Sequence, residues 1–161
     1  MPDANVSSSA SAPVKVGTKT MSVPDAERAV RRSAIWFWWV AGLSLINSIA
    51  AATGTNYRMV LGLGVTQMLD GLFPFGESMH LVLVLAVAGL FFLFGYYARR
   101  HSTAWYVAGM VFYAADALLF MPVHDWISIG FHAFVLFMLW GGYVTLRAIK
   151  EHAEGGTGAA V

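Results

Sequence analysis

The chain contains no cysteine. Disulfides, thiolate metal sites and cysteine nucleophiles are thereby excluded, and the redox character of its compartment leaves no mark on it. Charge is scarce as well. Asp, Glu, Lys and Arg make up 12% of the 161 residues, about half the share usual in a soluble domain. The net charge is +1, so there is no basic surface to attract nucleic acid, and no nucleic-acid partner is expected. Apolar residues fill the gap: the chain is 58% hydrophobic with a mean hydropathy of +0.62. A soluble globule or a disordered chain does not have this composition. It predicts an integral membrane protein whose first partner is the lipid bilayer.

The apolar runs predict an all-α fold class, a four-helix transmembrane bundle over residues 31–150. Spans fall at about 33–52, 79–98, 103–121 and 126–147. Each approaches the ~20 residues that cross ~30 Å of hydrocarbon at 1.5 Å per residue. Trp36, Trp38 and Trp39 open the first span where indole rings favour the interface, and Pro122 closes the third. Asp125 is placed to cap the fourth, with Ser128 three residues on. Between spans one and two, Leu61, Val65, Met68 and Leu72 recur at helical spacing. They predict an additional amphipathic helix at about 57–73, weakened by Gly62 and Gly64 and ended by Pro74 and Gly76. Residues 1–30 read as a disordered cytoplasmic tail, with Pro24 and Asp25 able to open a short helix, and residues 151–161 as a flexible C-terminal tail.

Lys15, Lys19, Arg28, Arg31, Arg32, Arg99, Arg100, Arg147 and Lys150 all fall on one side of this arrangement, and Arg58 alone on the other. The positive-inside rule puts both termini in the cytoplasm, a plan compatible with a bacterial inner (plasma) membrane. There is also a faint internal repeat. Asp70 to Pro74 resembles Asp116 to Pro122, each is followed by a histidine (His80, His132), and each of those spans ends in Gly-Tyr and then Arg.

Two ionisable residues stand where lipid should forbid them. Asp116 lies about 9 Å along its helix from Pro122, and His132 about 10 Å from Asp125, so on adjacent antiparallel spans their levels match. A carboxylate at a span's centre costs ~2.5–3.5 kcal/mol on insertion scales, so Asp116 must find a partner. His132, Tyr113 and Asn47 are within plausible reach.

The bland reading is a structural contact that pins helices together. On that reading the protein is a non-enzymatic scaffold or accessory protein, with a homodimer or another membrane protein as its further partner. The alternative is a metal-, small-ligand- or proton-handling protein using a polar cluster in the outer half of the bundle. Asp116, His132, His80 and Glu77 are its candidate ligands, with Asp70 and His124 at the rim. Imidazole and carboxylate together suit a transition metal, the leading cofactor if there is a site, although the sequence requires none. Glu77 and His80 form half of a bundle di-iron motif and have no second copy. An Asp–His pair also suits proton exchange or a quinone-like ligand. Haem and serine hydrolysis are weaker. No Gly-x-Ser-x-Gly elbow is present, and Ser44 and Ser48 are expected to bond back to their own helix.

Overall fold

Residues 13–53, 62–72 and 78–157 are described by a computed structural model. Helices dominate it: α1 (Val23–Ala52), α2 (Gly64–Leu72), α3 (Ser78–Arg99), α4 (Thr103–Ala117) and α5 (Trp126–Thr157), with α4 tightening into a 3-10 turn over Leu118–Phe120. Four of these helices are long and apolar enough to cross a membrane, by length and composition, and they match the four runs expected. The first begins earlier than expected. Ser22 caps α1, accepting from the Asp25 amide, and Pro24 fits the first turn, where its missing N–H costs nothing. The helix then runs unbroken for 30 residues, ~45 Å. It carries Arg28, Arg31 and Arg32 in its first third, before the Trp-rich apolar segment.

The disordered reading of the N-terminal tail is corrected within the described residues. Val14–Val16 (β1) and Lys19–Met21 (β2) form an antiparallel hairpin, with Val16 opposite Lys19 across a two-residue loop. Gly17 is the first loop residue and has φ 58°, a conformation that glycine adopts without a Cβ penalty. Val14 is fully buried and β1 packs on α5. Two strands alone are marginal, so docking on a helix completes the hairpin. Residues 1–12 lie outside the described residues.

The bundle is a ring. α1 packs between α3 and α5, and α4 closes the opposite side against both. Two layers of contacts fix the directions. At one level Ser33 of α1 meets Tyr106 of α4 and Met138 of α5; at the other Asp116 of α4 meets His132 of α5. Arg99, at the end of α3, lies over Trp38. Thus α1 and α4 run one way, and α3 and α5 the other.

Phe37 is the hub between the layers, in ring contact with Phe91, Phe94 and Tyr106. It packs so close to α4 that a Cβ on Gly109 would stand 2.6 Å from its ring. The outer faces are apolar and open: Phe137 is 72% exposed and Val111 60%. In water, a surface like this would aggregate; against lipid it costs nothing.

The corners between α3 and α4 and between α4 and α5 are built alike. After α3, Ser102 N–H bonds the Tyr97 carbonyl and His101 takes φ 63°. After the 3-10 turn, Asp125 N–H bonds the Phe120 carbonyl and His124 takes φ 53°. Both are Schellman-type stops, with histidine in the left-handed position where glycine is usual. The following residue starts the next helix. Asp125 caps α5 as expected, accepting from the Ser128 amide at 3.1 Å and the Ser128 hydroxyl at 2.6 Å. The Ser128 hydroxyl is the main cause that holds the Asp125 carboxyl below the ordinary carboxylate range, and the Ser128 amide adds to it.

At the first layer, Ser33 Oγ donates to the Met138 carbonyl at 2.6 Å, and the Tyr106 hydroxyl lies 2.8 Å from Ser33 Oγ and 3.1 Å from the Leu139 carbonyl. A Cβ on Gly142 would overlap both Tyr106 Oη and Ser33, whereas one on Gly141 would meet open space. Gly142→Ala should therefore lower unfolding stability by about 1–3 kcal/mol through overpacking. Gly141→Ala should leave it unchanged or slightly higher, as denaturation of the two variants side by side in detergent would measure.

Candidate functional site

Asp116 stands one residue before the end of α4, where the helix tightens, and is 7% exposed. Its carboxylate serves three donors from two other helices. Gly64 N–H donates to Oδ2 at 2.7 Å and Val65 N–H to Oδ1 at 2.8 Å. His132 Nε2 lies 3.0 Å from Oδ2. Gly64 and Val65 are the first two residues of α2, whose amides have no partner within their own helix. In the hydrocarbon region an unmet amide costs several kcal/mol, and the start of a helix also carries positive partial charge. The carboxylate answers both. The amide before them, Leu63 N–H, goes to Ser44 Oγ of α1 at 2.7 Å. The Leu63, Gly64 and Val65 amides are thus each met by a side chain from another helix.

Two glycines allow this approach. A Cβ on Gly64 would come within 2.8 Å of the Phe120 ring and 3.2 Å of the Asp116 carbonyl; one on Gly62 would come within 2.6 Å of Asn47 Nδ2. The sequence reading takes these glycines as weakening a helix. In the structure they are the points where α2 meets α1 and α4 at backbone distance.

His132 is fully buried, and both of its nitrogens are engaged. Nδ1 lies 2.8 Å from the Ser128 carbonyl, one turn back on α5. A carbonyl only accepts, so this contact assigns a proton to Nδ1. Nε2 faces Asp116 Oδ2 at 3.0 Å. The ring is clamped by Tyr113, stacked at 4.4 Å and 17°, and by Phe120 at 5.2 Å.

The structure thus joins Asp116 and His132, the pair that matched levels predicted. Glu77 lies outside the described residues, and so does the side chain of His80, in the first turn of α3. Asp70 bonds Ser48 Oγ at 3.2 Å, and His124 occupies the corner between α4 and α5. Ser44 donates back to Val40 as expected, whereas Ser48 reaches across to α2. Among the described residues no three His, Cys, Asp or Glu side chains gather as a metal would need. The backbone amides of Gly64 and Val65 were not foreseen; their one sequence signal is the Gly-x-Gly spacing before an apolar run.

Comparisons with protein-family models, with curated proteins and with solved structures found no match to this chain. Its class therefore rests on its own fold: a helical protein with four helices fit to span a membrane, joined at a buried Asp–His pair.

Tyr113 Oη is buried and has no hydrogen-bond partner among the described residues. An unmet buried hydroxyl costs ~1–3 kcal/mol. Tyr113→Phe keeps the stack on His132 and removes that cost, so unfolding stability should hold or rise. A clear loss of stability on thermal denaturation would mean that the hydroxyl is bonded in the folded protein.

Proposed function

We propose that this chain is a small multi-pass membrane protein acting as a non-enzymatic scaffold or accessory protein, with a structural Asp116–His132 contact. The observation that carries this reading is the closure of the network. Asp116 spends three bonds inside the fold, and both His132 nitrogens are held by protein oxygens. A metal ligand needs a free nitrogen lone pair, and a general base needs an acceptor facing its substrate. His132 offers neither as it stands. What the pair does is hold α2 against α4 and α5.

The membrane placement follows the same evidence of chemistry. The ring of alternating helices gathers Arg28, Arg31, Arg32, Arg99, Arg100, Arg147, Lys150 and the hairpin's Lys15 and Lys19 at one end, which supports a cytoplasmic location for both termini in a bacterial-type inner membrane. Leu63, just before α2, and Thr66 and Leu69 within it are buried, while Met68 and Leu72 are 46% and 66% exposed. That outward apolar pair supports an amphipathic helix lying at the outer membrane face, shorter than the 57–73 expected; residues 57–61 and 73 lie outside the described residues. The partners are then the bilayer and, for a scaffold, a second copy or another membrane-embedded protein.

Elemental analysis and a UV–visible spectrum of the purified, detergent-solubilised protein test this reading. It predicts no near-stoichiometric metal and no absorbance beyond the aromatic side chains. A stoichiometric metal or a chromophore, lost in His132→Ala, would overturn it in favour of a metal or cofactor site.

A further inference from the structure

The Asp116 carboxylate has unused capacity. A carboxylate offers about four acceptor positions, and three are filled: two on Oδ2 and one on Oδ1. Asp116 also lines a cavity of about 320 Å³ between α2, α3 and α4. Val65, Phe91, Phe112, Ala115 and Leu119 form most of its wall, and Asp116 is the one polar residue in the lining among the described residues. The volume is at the small end of ligand pockets, ~300–1,000 Å³, enough for one ring with a short substituent.

We propose that this cavity binds a neutral, membrane-soluble molecule of the phenol or hydroquinone class, its ring between Phe91 and Phe112 and its O–H donated to Asp116 Oδ1. Three considerations select that chemistry. A plain acyl chain would fill the apolar wall and leave the acceptor unmatched in a medium where unmatched polar groups are costly. A cation would have to give up its hydration to enter low dielectric, beside a carboxylate that already has two amides and the His132 imidazole as partners. A neutral hydroxyl meets the acceptor without bringing charge, and aromatic walls favour a ring, edge or face. The inference goes beyond the scaffold reading, which needs only that Asp116 hold α2. The ligand adds a fourth bond without displacing any of the three.

The test titrates the full-length protein in detergent micelles with 4-propylphenol and, separately, with 4-propylanisole, following the Val65 and Ala115 amides by NMR. The two probes differ in the donor hydrogen. Saturable binding about tenfold tighter for the phenol, the worth of one ordinary hydrogen bond, is expected. Ala115→Leu, which fills the cavity from an exposed position on α4, should abolish it. Equal response to both probes would reduce the cavity to a place where lipophiles partition, and undiminished phenol binding in Ala115→Leu would place the site elsewhere; either overturns the proposal. If Ala115→Leu shifts the ligand-free Gly64 and Val65 amides, Leu119→Trp replaces it as the filling variant, with the same two readings. A negative titration with those amides undisturbed leaves the Asp116 network and the scaffold reading in place, so the two ideas fail separately.

Discussion

The start of α2 is a short helix end buried against α1 and α4, and its first amides take their partners from those helices. A nine-residue helix brings little stability of its own. Its position depends on Asp116, a charge that the hydrocarbon region would otherwise reject. Each problem answers the other. The carboxylate gains two backbone donors and the His132 imidazole as partners, while the helix gains an acceptor for its first two amides. His132 in turn is fixed by Ser128, whose amide and hydroxyl bond the Asp125 cap. A chain of polar contacts therefore runs from the Asp125 corner, through α5 and α4, into α2, within a largely apolar bundle.

Close backbone approach is the second constraint. Where α2 meets its neighbours, Gly62 and Gly64 leave room for Asn47 and Phe120. Where α3 crosses α1, the Trp38 indole lies against Gly95 and donates to the Phe92 carbonyl at 3.1 Å. Lipid supplies no hydrophobic force between helices, so contact area and hydrogen bonds must hold them, and small residues permit both. The glycines at these crossings are packing positions, while the residues facing outward are free to be large and apolar.

Much of this was legible in the sequence. Four apolar runs of the right length give the spans, because hydrocarbon thickness imposes length directly on composition. Asp116 and His132 announce themselves as ionisable residues in apolar surroundings, and counting rise from the Pro122–Asp125 corner brings them to one level. The Asp125 cap follows from residue type alone. The partners of Asp116 beyond His132 were hidden for a physical reason: backbone amides have no side-chain signature, and a Gly-x-Gly that lets them approach reads as a weak helix. The hairpin at Val14–Met21 was hidden by its shortness, since three-residue strands acquire order only from the helix beneath them. Trp38 reads as an interface anchor, and its bond to α3 depends on a tertiary neighbour that no local pattern encodes.

Amide hydrogen exchange at Gly64 and Val65, compared between the wild-type protein and Asp116→Asn, tests the central claim most directly. The variant keeps the shape of the side chain and replaces one acceptor oxygen with a donor. If the carboxylate holds α2, exchange at these two amides should rise about 10–100-fold, the loss expected for hydrogen bonds to a charged group, while the core amides of α1, α3, α4 and α5 keep their protection. Unchanged exchange at Gly64 and Val65 would contradict the account and leave Asp116 without the role assigned to it.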